Sequence, residues 1–505
     1  MPENVVDSRV LIVGAGPGGL FAASELLRHG VKPRIVERRL APHDETRGTA
    51  LQPAVLELLN RGGLAEPFLR AGVRIRHIQL LGPGLQEIVS ENFADAGCGY
   101  DFQCSLPQWR TEAILREHLL SLGLAVEFGT EVTSIEDDPD GVRVTLDNGG
   151  RTETVTAPYL LGAGGGHSIT RHSMHEHLTG ETYYGQYFVA DARVRLPCPP
   201  ECGRLVVGPT GFVLLSPLPD DRWLIFVNCD AAEIQSELPT AAELGALLNA
   251  RTGVDVGLGD LRWISQFKMH KRVVERLSDG RRFLLGDAAH MSSPLGGEGL
   301  NASLMDATDI AWKLALVVRG AAKPLLLDSY AIERGLADRH VLEVSDEVHR
   351  FVTELVAMCD GSGAPSLPQA DPPQNLAAVR RRLMLDVSYT GSTLIGQAGA
   401  AVDAPSPGER FPARCRLSGT GHHIIVFGEA PRLERLRAQW GTLVSIVDAS
   451  SAQFDATEAG APNGGAILVR PDGFIGFRAA PADETTMAAL DAHLATYLLP
   501  AFSAS

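Results

Sequence analysis

The sequence predicts an α/β protein in several parts: an open parallel sheet at the N-terminus, a mainly antiparallel α+β middle, and a small αβ tail. Three observations carry this reading. From residue 8, "RVLIVGAG", "PGGLFAASELLRHG" and "PRIVERR" read as strand, glycine turn with helix, and strand, which is a βαβ unit. "LAVEFGTEVTSIEDDPDGVRVTLDNGG" alternates apolar and polar residues between Asp-Gly and Asn-Gly turns, the pattern of antiparallel strands. Near the C-terminus, "HHIIVFG", "LVSIVD" and the hairpin "AILVRPDGFIGFR" supply short strands. At 505 residues the chain exceeds what one core holds, so two or three domains are expected.

Between these landmarks the elements follow in order. Strands are expected between about 183 and 229, broken by proline turns. "RRFLLGDAAH" then brings glycine back after an apolar strand, and a helix is expected from about 301 to 319. A further helix puts Val341, Val344, Val348, Phe351 and Leu355 on one face. "GSGAPSLPQADPPQN", residues 361–375, is a linker, and "DAPSPGERFP" is a second break before the tail.

Composition narrows the function. Lys plus Arg is 45 against 61 Asp plus Glu, a net charge of -16, and no basic block exists to neutralise a run of phosphates. A nucleic-acid partner is excluded on that ground. The most apolar helical stretch is interrupted by Lys313, Arg319 and Lys323, so no membrane span is expected. The N-terminus lacks a basic segment and a cleavage site, and the seven cysteines form no C-x-x-C pair; Cys198 and Cys202 have loop spacing. A cytoplasmic protein fits, as a monomer or homodimer.

"GAGPGG" follows a strand and opens a helix, placing G-x-G-x-x-G at Gly14, Gly16 and Gly19, with Pro17 within the motif. The first glycine makes the turn, the second admits a pyrophosphate, and the third lets helix and strand pack. Glu37 ends the next strand, where a carboxylate accepts hydrogen bonds from an adenosine ribose. Together these predict a Rossmann-like dinucleotide domain. In "LLGDAAHMSSPLGGEGLN", Asp287 is a candidate for ribityl hydroxyls, and the turn from Gly296 to Asn301 enters a helix whose positive end suits the anionic edge of a reduced flavin. The competing reading is a glycine-rich strand–helix connection with Asp287 as a cap. His290 reads as a structural histidine. His422 and His423 begin a strand, where neighbours face opposite sides, so no metal site is expected.

These residues, with Arg47 in "TRGTALQPAVLELL", Gln108 in "LPQWRTEAIL" and "DATDIAWKLA", resemble the class A flavoprotein aromatic hydroxylases. The length and the tail resemble the phenol-hydroxylase-like, polyketide-tailoring branch, which carries a thioredoxin-like C-terminal domain. The resemblance implies FAD, held at Gly14, Gly16, Pro17, Gly19, Glu37, Arg38, Arg47, Gln108, Val132, Asp287, Pro294, Gly297, Gly299, Leu300 and Asn301, with Arg47 and Pro294 nearest the chemistry. It implies reduction by NADPH or NADH, reaction with dioxygen through a flavin C4a-hydroperoxide, and hydroxylation of a polycyclic aromatic substrate beside Phe188, Phe212, Leu214 and Pro294. Water exclusion and substrate placement are then the protein's main tasks.

Departures from the family pattern include Gly164, Glu298 and Ala54, the last standing where Arg is frequent. The family's "G-A-D-G-x-x-S-x-x-R" appears as "GAGGGHSITR", so Gly164 replaces an aspartate while Gly165, Ser168 and Arg171 are kept. That puts nicotinamide-driven reduction in question and leaves open a substrate-reduced oxidase or a flavin-binding homologue without catalysis. Glu298 stands where Gln is frequent, and its carboxylate is expected to turn to solvent rather than to be protonated. Only Cys415 lies in the tail, so a redox-inert packing module is expected there. The implied organisation is an FAD domain from 1–172, with a substrate-domain insertion near 74–106, and from 281–360. A substrate-binding sheet occupies 173–280, a linker and helix 361–404, and the thioredoxin-like domain 405–505.

Overall fold

The computed structural model describes residues 6–500, apart from 47, 95, 197, 198, 200, 230–232, 235, 236, 360–375, 401–404 and 413–416; Arg47, Cys198, Cys415 and the linker 361–375 lie outside the described residues. The fold is α/β with an α+β middle. Its six-stranded sheet runs Ser278–Asp279, Arg282–Leu284, Leu160–Gly162, Val6–Val13, Val31–Glu37, Glu127–Phe128. All neighbours are parallel except the outermost Ser278–Asp279. Parallel strands deliver the turns at their C-terminal ends to one edge of the sheet. Three glycine turns therefore meet there, led by Gly14, Ala163 and Leu285. Their amides donate to Val36, Val13 and Gly162 carbonyls at 2.8, 2.8 and 3.0 Å.

Helices Pro17–Arg28 and Gly299–Val318 pack face to face through small residues such as Ala22, Ala23, Ala302 and Ala307. Their closeness is set by glycine. A Cβ on Gly18 would lie 2.2 Å from Ser303 Oγ, and one on Gly286 2.4 Å from the same atom.

The middle sheet has seven strands: Gly259–Phe267, Gln186–Arg193, Arg222–Cys229, Gly211–Leu218, Cys202–Gly208, His77–Leu81 and Glu87–Asn92. Alternation divides its side chains. Phe188, Val213, Ile225 and Val227 face helix Ala241–Thr252 through Leu244 and Leu248. Tyr187, Val189, Phe212 and Phe226 face the other way, toward Val352 and Leu355 of helix Asp328–Met358. On that helix the expected face is corrected: Val341, Val344 and Leu355 are buried with Val352, whereas Phe351 is 47% exposed and Val348 half-buried.

The tail is a five-stranded sheet ordered Gly396–Gly399, Ile475–Ala480, Gly465–Val469, His422–Phe427, Val444–Asp448, flanked by helices Leu433–Trp440 and Glu484–Tyr497. Its edge strand Gly396–Gly399 begins upstream of residue 405. Trp312 and Leu316, from helix Gly299–Val318, are buried in the tail's core beside Leu468 and Leu490. Among the described residues, no helix is long and apolar enough to cross a membrane.

Candidate functional site

The first glycine turn is shaped by contacts that exclude side chains at two positions and leave room at the third. Gly14 has φ +107°, and a Cβ on it would lie 2.4 Å from the Ala163 carbonyl oxygen. A Cβ on Gly19 would lie 2.0 Å from the Gly14 carbonyl oxygen, whereas a Cβ on Gly16 would meet nothing within 4 Å. Pro17 opens the helix, where its missing N–H costs nothing. The helix start therefore presents amides to an open space, the geometry that binds anions. Glu37 closes the same corner: its Oε2 accepts from the Ala15 amide at 2.9 Å and its Oε1 from the Arg39 amide at 3.0 Å. Burial opposes its charge, but those amides and the Arg39 guanidinium hold its carboxyl below the usual range. Arg38 is exposed beside it. Val132 packs its side chain with Leu11, Val13 and Val36, so that side chain does not address a ligand.

The turn after Leu160–Gly162 carries the missing aspartate's position. Gly164 has φ -77° and ψ 10°, which any residue adopts, and a Cβ there would make ordinary contact with Ser168 Cα at 3.5 Å. Nothing steric demands glycine. Arg171 is buried; its Nη1 donates to the Ala288 carbonyl at 3.1 Å and its Nη2 to that of Gly166 at 2.6 Å. It thereby ties the second turn to the third, where Asp287 is exposed on the short turn Gly286–Ala288.

Beneath Asp287 lies an ionic cluster that was not foreseen. Asp306 Oδ2 accepts from the Gly286 amide and from His290 Nε2, both at 2.9 Å, and its Oδ1 from Arg334 Nε at 2.7 Å. Arg334 Nη2 donates to Asp338 at 2.9 Å. Burial disfavours charge on His290, yet Asp338 and Asp306 overcome it and raise its pKa to about 9. His290, Asp306 and Asp338 offer ligand atoms within 4.8 Å of one another, but the Arg334 guanidinium pairs with both carboxylates. The signal was present: a carboxylate at 306, in a helix of mostly buried residues, needs a partner.

The last segment is a short turn, Pro294–Gly296, then Gly297 at φ +69° and the helix from Gly299. Asn301 latches it. Its Oδ1 accepts from the Gln52 amide, and its Nδ2 donates to the Ala50 and Gly297 carbonyls, all at 2.8 Å. Gln108, whose Nε2 donates to Glu112 at 3.0 Å, comes near Leu300: a Cβ on Gly48 would be 3.6 Å from one and 3.7 Å from the other. Glu298 corrects the expectation that it turns to solvent. It is 1% exposed, no group beyond its own backbone amide hydrogen-bonds to its carboxyl, and burial raises its pKa to about 8.

Of the proposed substrate residues, Phe212 and half-buried Leu214 share a face with Leu295, next to Pro294. Leu205 pairs with Leu214 across the strands on that face. Phe188 does not belong with them. It is fully buried toward helix Ala241–Thr252, because its strand's register gives that face to Tyr187 and Val189 instead.

Two family descriptions match the chain: FAD binding domain over residues 7–345, and aromatic-ring hydroxylase, C-terminal, over 400–501. The 6-methylpretetramide 4-monooxygenase of Streptomyces rimosus is 31% identical, covering 97% of this chain and 94% of that protein. Aklavinone-11 hydroxylase, solved in a ternary complex with FAD and aklavinone, superposes with a TM-score of 0.78 at 27% identity, over 98% of this chain and 99% of that one. The dialkyldecalin synthase of Streptomyces rugosporus is 31% identical over 71% of this chain and 82% of its own length.

Proposed function

We propose, on the premise that this chain belongs to the family of FAD-binding aromatic-ring hydroxylases, that it is an FAD-dependent monooxygenase whose substrate is a polycyclic aromatic of the polyketide kind. The observation that carries the reading is the meeting of three glycine turns at one sheet edge, with open space beside Gly16 in the first turn and Gly165 in the second. Bound there, FAD supplies electron transfer and the activation of dioxygen for insertion of one oxygen atom. The chain's own groups do the rest. Amides of Gly16, Gly18 and Gly19 receive the diphosphate, Glu37 takes ribose hydroxyls, and Asp287 takes the ribityl side, with Gln108 along the same path. The backbone from Gly297 to Asn301 faces the flavin ring. Pro294, Leu295, Leu205 and Leu214 place an apolar wall beside it, which excludes water and orients a flat substrate.

The reductant is the open step. NADPH or NADH is the family's usual source, but Gly164 offers no carboxylate, and the Arg171 guanidinium donates to the Ala288 and Gly166 carbonyls. A substrate-reduced flavoenzyme is the second reading, favoured by the missing carboxylate at Gly164. Anaerobic mixing of the FAD-loaded protein with each nicotinamide cofactor, with and without a tetracyclic aromatic, separates the two. Flavin bleaching supports the monooxygenase reading. No bleaching by the wild type, together with bleaching by Gly164→Asp, would show that the residue at 164 decides the reductant. The substitution is sterically free, so a folded variant is expected.

A further inference from the structure

Glu298 sits between two glycines of the turn proposed to face the flavin ring, yet its carboxyl points away from solvent. It folds back over Gly296 so closely that a Cβ there would lie 1.9 and 2.2 Å from its two oxygens. The missing side chain of Gly296 is thus the niche that the carboxyl fills. Although Glu298 stands at the helix N-cap, it makes no capping bond. Apart from its own backbone amide, no group hydrogen-bonds to either oxygen, and the residue is 1% exposed. The charged group whose field reaches it is Arg382, from helix Leu376–Arg382, and that guanidinium is already paired with Glu91 of strand Glu87–Asn92. Burial outweighs that amide and the distant Arg382 charge, so the neutral acid is the stable form at neutral pH.

We propose that Glu298 is a proton-holding positioning residue behind the flavin, whose carboxyl takes up a proton when the ring gains negative charge. This rests on the ring lying at the turn. Reduction of FAD to its anionic form consumes two electrons and one proton. Where alkaline pH has already ionised Glu298, the new negative charge repels the carboxylate, which takes one further proton from water. Two electrons and two protons then enter together, so the slope of reduction potential against pH doubles over that interval. Below it, the acid is neutral in both redox states and the slope is single.

The experiment is a potentiometric titration of the FAD-loaded protein from pH 6 to 10, with an electrode-poised mediator as reductant, on wild type, Glu298→Gln and Gly296→Ala. The doubled slope is expected in the wild type alone, since Gln cannot titrate and a Cβ at 296 expels the carboxyl from its niche. Infrared spectra of the apoprotein at pH 7 should show a protonated carboxyl band that Glu298→Gln lacks. Absence of that band overturns the proposal, as does an equal slope in wild type and Glu298→Gln. FAD affinity of Asn301→Ala tells these failures apart. If affinity falls while the slopes agree, the proton-holding role alone is wrong; if affinity is unchanged as well, the ring does not lie at this turn.

Discussion

At the scale of single residues, glycines in one motif have different reasons to be glycine. At Gly19 a Cβ would strike the protein's own backbone, whereas at Gly16 it would enter the space assigned to the diphosphate. Gly19→Ala is therefore expected to lower apoprotein melting and FAD uptake together. Gly16→Ala should leave the apoprotein within about 0.5 kcal/mol of wild type while weakening FAD roughly tenfold or more. Calorimetry of the apoprotein and a fluorescence titration with FAD check both outcomes. Glu298 gives a pH prediction with a definite sign. Its pKa is raised from 4.5 to about 8 in the folded protein, so below pH 4.5 it is protonated in both states and contributes nothing. Between the two values folding must take up a proton, and a stability penalty grows with pH, reaching on the order of a few kcal/mol above pH 8. Melting of Glu298→Gln should match wild type near pH 4.5 and exceed it increasingly toward pH 8.

At the scale of elements, a turn is only as rigid as the latch that holds it. The stretch from Pro294 to Gly297 contains no regular ladder, and Asn301 ties it to Ala50 and Gln52, residues some 250 positions away. Asn301→Ala leaves the buried Gln52 amide and Ala50 carbonyl without that partner, at a cost of roughly 1–3 kcal/mol for each orphaned group. Faster amide exchange across 294–301 and weaker FAD binding are the expected readouts; exchange at wild-type rates would refute the latch. Helix Asp328–Met358 shows the limit of periodicity. Phe351 lies about 80° round the helix from Val341 at 100° per residue, on the flank of the buried stripe, and hydropathy alone drew it onto that face. The same limit applied to Phe188: alternation established that neighbours face opposite sides, but not which side meets the proposed ligand.

At the scale of the whole molecule, the tail is fastened to the helix whose start faces the proposed flavin. Lys313 donates to Asp309 at 2.7 Å and to Glu333 at 2.6 Å, while Arg470, from the tail's hairpin, donates to Glu333 at 2.6 Å and pairs with Asp472. Trp312 Nε1 donates to Asp472 at 3.2 Å. Three carboxylates share these two cations. Burial, with Glu333 and Asp472 adding to it against Lys313 and Arg470, raises the Asp309 pKa to about 8, so one proton balances the cluster. Removing one partner strands buried charge. Arg470→Met is expected to cost about 3–5 kcal/mol and to lower the melting of the entire chain, with partial recovery in the Arg470→Met/Asp472→Asn pair. A melting change confined to the tail would defeat the idea that the two parts are energetically joined.

What the sequence determined by itself was local in origin. Glycine spacing after a strand, a carboxylate ending the next strand and the period of each element depend on backbone sterics within a few residues, so the dinucleotide turn, the second glycine segment and the tail hairpin at Pro471 to Gly473 were all legible. The tertiary structure alone decided which sheet face Phe212 and Phe188 take, that Glu298 is enclosed rather than solvated, and that Asp306, Asp309 and Glu333 find cations from distant segments. Those outcomes depend on which surfaces bury one another. The free energy of a charge changes with that enclosure by more than any local preference supplies, and enclosure is a property of the assembled chain.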